Sequence, residues 1–88
     1  MHRLDMTRDA HKFLCGLDAK QFKQVATKIL ELMRDPTPAD SQQLKGFEGR
    51  RTDIGEYRIV YTYDSQVVYI VVIDKRNDDA VYKQLKKK

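Results

Sequence analysis

The chain has 88 residues, 41% hydrophobic and 34% charged, enough for one domain (1–88) with one modest core. No apolar run approaches the roughly 20 residues that a membrane span needs, so no membrane partner is expected. Lys and Arg number 17 against 13 Asp and Glu, a formal net charge of +4, which suits a polyanionic partner: nucleic acid or an acidic protein. A single cysteine, Cys15, precludes an internal disulfide and fits a reducing cytosol. Together with His2 and His11 it cannot build a usual zinc site, and no cofactor is expected. Asp5 stands where a signal peptide needs apolar residues, so a cytoplasmic location is expected.

Leu4 and Met6 suggest a short first strand. From Thr7, Ala10, Phe13, Leu14 and Leu17 fall at i, i+3, i+4 and i+7, one face of a helix, which Gly16 ends. Asp18 with Gln21 three residues on resembles a capping box. Phe22, Val25, Ala26, Ile29, Leu30 and Met33 then form an apolar stripe, with Lys20, Lys23, Lys28 and Glu31 facing outward. Pro36 biases Asp35 away from helical geometry and stops the helix. The tight link predicts an antiparallel helical hairpin.

Residues 36–46 read as a polar loop with a turn of helix at Ser41–Leu44. The apolar period then changes from about 3.6 to about 2 residues. Phe47–Asp53 is a polar candidate strand. Tyr57, Ile59, Tyr61 and Tyr63 alternate with Arg58, Val60 and Thr62, and Asp64-Ser65-Gln66 makes a turn. Val67–Ile73 is continuously apolar and β-branched, as in a central strand covered on both faces. Asn77 caps a last helix, with Asp78 and Asp79 in its first turn and lysines at its end, matching the helix dipole. Val81 and Leu85 pin it to the core. The expected fold is α+β: a small antiparallel sheet with an N-terminal helical hairpin on one face and a short C-terminal helix, in the order β-α-α-β-β-β-α.

The chemistry-bearing residues gather around Gly55. If Ile54-Gly55 is a two-residue hairpin loop, Asp53 pairs with Glu56 and Arg51 lies opposite Arg58. Directly opposed like charges destabilise a sheet, so such a pair implies an anion between them. The alternative is that Asp53 or Glu56 neutralises the arginines in a surface cluster worth little. Ile-Gly is a poor type I′ loop, which leaves the register open by one residue. Arg76 ends the central strand near the same region, and Lys75 points the other way. Tyr82, six residues on, has as its commoner fate packing half-buried on the sheet. Lys86, Lys87 and Lys88 by themselves read as a solvated tail.

Such arginines suit phosphodiester chemistry on RNA. The 2′-hydroxyl attacks the adjacent phosphorus, charge builds on the phosphoryl oxygens, and the 5′-oxygen leaves. A guanidinium binds phosphate oxygens with two parallel hydrogen bonds and stays charged. Arginine is a poor base and tyrosine titrates near ~10, so catalysis of this kind depends on positioning and electrostatics. No glycine-rich phosphate loop, Ser/His/Asp set or Cys/His pair is visible in the chain.

Several segments together resemble the RelE/ParE superfamily of toxins from bacterial toxin–antitoxin pairs. They are Phe13 to Leu17, Leu44-Lys45-Gly46, Gly55-Glu56-Tyr57-Arg58-Ile59-Val60-Tyr61, and Lys75-Arg76 followed by Val81-Tyr82. The resemblance spans nearly the whole chain and is carried by order and spacing. It implies an endoribonuclease that cleaves mRNA in the ribosomal A site, if the chain follows the RelE branch. The ParE branch instead poisons DNA gyrase without nuclease activity. Retention of Arg76 and Tyr82 favours the RelE branch. Carried over by position, Arg58 stabilises the phosphate transition state, Arg76 binds phosphate, Tyr82 stacks on the RNA, and Arg51 lies near a residue that contacts the 2′-hydroxyl or phosphate. Lys45, Arg50, Lys75, Lys83 and Lys86 complete the expected RNA-binding set. Expected partners are a cognate antitoxin and the ribosome with its mRNA. Asp53 departs from the family pattern, where a second basic residue is frequent; Arg50 substitutes for it if the register slips.

Overall fold

Helix starts and stops follow local chemistry. The structure, a computed structural model, describes residues 1–76. Strand β1 (Arg3–Met6) leads into α1 (Arg8–Cys15). Thr7 caps α1: its Oγ1 accepts from the Ala10 amide at 3.1 Å and donates to the Val71 carbonyl at 2.8 Å, tying the helix start to the sheet. Asp18 caps α2 (Ala19–Arg34) by accepting from the Gln21 amide at 2.9 Å. The helix ends at Asp35, in extended conformation before Pro36. Each of these boundaries agrees with the sequence reading.

Strands β2 (Ser41–Gln43), β3 (Arg50–Ile54), β4 (Tyr57–Tyr63) and β5 (Val67–Lys75) join β1 in one sheet of order β1-β5-β4-β3-β2. The α+β class is as expected, but the sheet is mixed: β1 runs parallel to β5, and the other pairs are antiparallel. Two helices and three strands intervene between β1 and β5, ample chain for a parallel return. β5 has neighbours on both edges and is covered on both faces. A bulge at Val60/Tyr61 moves the pairing from Val60↔Val72 to Tyr61↔Ile70, which leaves Val71 as the extra residue.

The main core lies between helices and sheet. Ala10, Leu14, Val25, Ile29 and Leu32 pack on Tyr57, Ile59, Tyr61, Val68, Ile70 and Ile73. Phe13 meets Tyr57 edge-on, with ring centroids 5.8 Å apart. The buried stripe of α2 is rotated from the expected one. Phe22 and Leu30 are 40% and 58% exposed, Leu32 is buried, and Lys28 is only 6% exposed instead of facing outward. Lys28 tolerates burial because its ammonium reaches the carboxylates of Asp40 and Glu31. On the opposite face of the sheet, Leu44, Val60, Val71 and Val72 form a smaller cluster with Phe47.

Two segments differ from expectation. Ser41–Gln43 is an edge strand, not a helical turn, because β3 supplies backbone partners that a polar tripeptide cannot find alone. Phe47 to Gly49 precede β3 as a turn, closed by the Leu44 amide donating to the Gly49 carbonyl at 3.0 Å. A Cβ on Gly49 would stand 2.8 Å from both the Phe47 ring and the Tyr61 carbonyl, so this close approach requires glycine. The expected C-terminal helix, with Asn77, Val81, Tyr82 and Leu85, lies outside the described residues.

Candidate functional site: an arginine cluster on the open sheet face

The β3–β4 turn sets the site. Ile54 pairs with Tyr57, so the loop is Gly55-Glu56 and not Ile54-Gly55. Gly55 has φ +58°, and no non-glycine residue among those described has positive φ. That is the pattern of a type II′ turn, with glycine at its first central position. The loop therefore moves by one residue from the expected one, and each cross-strand partner by two. Arg58 faces Asp53, and Arg51 faces Val60. The destabilising Arg51–Arg58 opposition does not occur; the neutralised alternative does.

Alternation along the strands places Arg51, Asp53 and Arg58 on the sheet face opposite the helices. The Arg58 Nε donates to Asp53 Oδ1 at 2.8 Å, and Nη2 to Oδ2 at 3.3 Å. Arg51 Nη1 stands 3.8 Å from the same carboxylate, while its Nη2 donates to the Gln42 side chain at 2.7 Å. Asp74 is the cross-strand neighbour of Arg58 on β5. Arg76 follows β5, its amide donating to the Glu56 carbonyl at 3.0 Å. Its charge reaches Asp53. The Asp53 carboxyl is held below the ordinary value, first by the hydrogen bond from Arg58; burial opposes this as the next influence, and the charges of Arg58, Arg51 and Arg76 add to the lowering. Three of the four expected catalytic residues thus converge; Tyr82 lies outside the described residues, as do Lys83 and Lys86.

The remaining expected residues separate from this cluster. Arg50 is on the helix face, where Nε and Nη2 donate to the Ser41 hydroxyl at 3.1 and 2.9 Å and Nη2 also to the Ser41 carbonyl. It cannot substitute for a residue on Arg58's face without a register slip that the backbone pairing does not make. Lys75 pairs across from Tyr57 and so falls on the helix side, as expected from alternation. Lys45 is exposed in the loop after β2. His2 meets the Asp64 carbonyl at 2.9 Å, and His11 lies 3.5 Å from the Cys15 sulfur on α1; neither joins the arginines. An open hollow of about 420 Å³, lined by Gln43, Glu48, Gly49, Arg50, Thr62 and Tyr63, sits at the other end of β3 and β4. Among the described residues, no group of three or more His, Cys, Asp or Glu could hold a metal ion. No described helix is long and apolar enough to cross a membrane. Gln42 was not foreseeable as the partner of Arg51, because its strand carries no apolar alternation.

A three-arginine face with an internal carboxylate can grip an anion electrostatically. Comparison with known proteins narrows its setting. A family model described as the ParE toxin of the type II toxin–antitoxin system, parDE, matches residues 4–80. The chain is similar to the free E. coli RelE toxin in a doubly mutated form: identity is 24%, coverage 98% of this chain and 95% of that one, and the TM-score 0.78. It is similar to a chain of the RelBE2 toxin–antitoxin complex from Mycobacterium tuberculosis, at 22% identity, 85% and 98% coverage and TM-score 0.74. The YoeB/ParE toxin from Agrobacterium tumefaciens is 20% identical, with 84% and 98% coverage and TM-score 0.70. At these identities the likeness is one of fold. No curated protein sequence matches.

Proposed function

Since the chain belongs to the ParE toxin family of type II toxin–antitoxin systems, within the RelE/ParE superfamily, we propose that it is a ribosome-dependent endoribonuclease that cleaves mRNA in the A site. The observation that carries this reading is the placement of Arg51 and Arg58 on one sheet face around Asp53, with the Arg76 charge acting on the same carboxylate from the end of β5. In the proposed reaction Arg58 and Arg76 bind the non-bridging oxygens of the scissile phosphate and stabilise charge as the 2′-hydroxyl attacks. Arg51 lies one row along the sheet and contacts the phosphate or the 2′-hydroxyl. Tyr82 is proposed to stack on the RNA, and Lys45 to contact its backbone. The cluster offers guanidinium groups and carboxylates but no imidazole, so catalysis rests on positioning and electrostatics, with the ribosome supplying much of the substrate's orientation.

A cognate antitoxin in a shared cytoplasm is proposed as the second partner. Similar folds come from toxin–antitoxin complexes, and a basic face suits an acidic antitoxin segment. Substrate and inhibitor would then compete for the same arginines.

The test is primer extension on an mRNA translated in a reconstituted system, with the intact protein and with Arg58→Ala. Cuts at ribosome-occupied codons that vanish with the variant, and without ribosomes, are expected. Uncut mRNA with the intact protein sinks the nuclease reading. One observation favours a second reading, a ParE-like gyrase poison: the Arg58 guanidinium is already ion-paired with Asp53. A supercoiling assay with purified gyrase decides it.

A further inference from the structure

The anion nearest Arg58 belongs to the protein itself. Asp53 and Arg58 face each other as Cα partners, and their side chains meet through two hydrogen bonds of 2.8 and 3.3 Å, one to each carboxylate oxygen. The arrangement is therefore built by backbone register and not by chance contact of long side chains. A phosphate engages a guanidinium fork in the same way as a carboxylate. The Nε–Nη2 edge of Arg58 thus already carries an anion in the position a phosphate would take.

We propose that Asp53 is a specificity-determining residue, an internal anion that a substrate phosphate must displace from the Arg58 fork. Free polyanions then bind weakly, and the site closes on a phosphate delivered in position by a larger assembly. The inference rests on the reading of the arginine face as a phosphate site. Displacement is physically accessible: the Arg58 and Asp53 side chains keep 16% and 29% of their surface in contact with solvent, so the carboxylate can move into water. Protonation cannot relieve the competition near neutral pH, because the three arginines hold Asp53 ionised. The exchange is one anion for another. Asp74, across from Arg58 on β5, is the other acid of this row.

The test is a double-mutant cycle read by equilibrium binding of a short fluorescent single-stranded RNA at fixed salt. The four proteins are the intact chain, Asp53→Asn, Arg58→Ala and the double variant, each checked for its thermal midpoint. Asn keeps the shape and one acceptor oxygen and removes the charge. Asp53→Asn is expected to tighten binding about ten-fold, and that gain to fall below about two-fold when Arg58 is Ala, as coupled residues require. An equal gain in both backgrounds would mean a general charge effect and overturns the proposal, as does no gain at all. If the Asn variant does not fold, Asp53→Ser takes its place in the same cycle. Binding needs neither ribosome nor turnover. Failure to cleave mRNA therefore leaves this result standing, and the two readings fail separately.

Discussion

Two partly buried ion clusters of this molecule have opposite compositions. Lys28, on the buried side of α2, is one cation between two acids, Asp40 and Glu31, and it ties α2 to the chain entering β2. On the open face, three arginines outnumber Asp53 and Asp74. The first cluster matches its buried cation with exposed acids from its own helix and from the loop before β2, and holds an element in place. The second keeps an excess of positive charge on a rigid strand pair, where folding alone would not favour it. Excess charge of one sign, gathered by register from separate strands, is the better mark of a binding face than the presence of ion pairs as such.

Substitutions can break this contrast. The largest expected effect is on activity. Arg58→Ala should lower ribosome-dependent cleavage by about 100-fold or more, the scale of losing one preorganised donor to a developing anion, with little change in thermal midpoint. Lys28→Ala should do the reverse. It should cost about 1–2 kcal/mol in urea unfolding, since the buried stem is lost while the acids, more than half exposed, remain hydrated, and leave the cleavage rate intact. A large loss of cleavage in the Lys28 variant would dissolve the distinction.

Arg50 and Arg51 sharpen it, being chain neighbours on opposite faces. Arg50→Ala should lower stability by about 1 kcal/mol through its lost bonds to Ser41. Arg51→Ala should instead weaken RNA binding several-fold at nearly constant stability, as read by anisotropy and urea titration in parallel. Equal behaviour of the two would contradict the face assignment.

The smallest effects are in the pH dependence of stability. The folded pKa of Asp53 lies below its ordinary 3.8, chiefly through the Arg58 hydrogen bond. Its contribution is present above that ordinary value and lost as pH falls through the folded one, so Asp53→Asn should flatten the acid limb below about 4. Lys28 has the opposite sign. Burial lowers its pKa, but the hydrogen bonds and charges of Asp40 and Glu31 outweigh that and raise it above 10.5. Its contribution is full below that value and is lost as pH rises through the folded one. Lys28→Ala should therefore flatten the alkaline limb, in a comparison where Tyr61, whose phenol burial keeps neutral, is common to both proteins.

Much of this could be read from the chain. Thr7, Gly16, Asp18 and Pro36 mark helix ends through bonds within a few residues, and the β-branched run from Val67 announces a strand covered on both sides. Arg51, Arg58 and Arg76 could be named as a set from the resemblance to the RelE/ParE superfamily, carried over by position. Local rules reach that far because caps, turns and periodicity involve neighbours in sequence. Three things were decided only by tertiary structure. Ser41–Gln43 became a strand because β3 lay beside it. Lys28 turned inward because Asp40, twelve residues away, could meet it. The one-residue choice of Gly55-Glu56 over Ile54-Gly55 set Asp53, and not Arg51, against Arg58. Moving a two-residue loop by one position shifts each cross-strand partner by two residues, which keeps every side chain on its face and changes which charges oppose each other. That step depends on the glycine dihedral together with the packing of Ile54, Tyr57 and Ile59 against the helices, a sum over distant contacts that no local pattern contains.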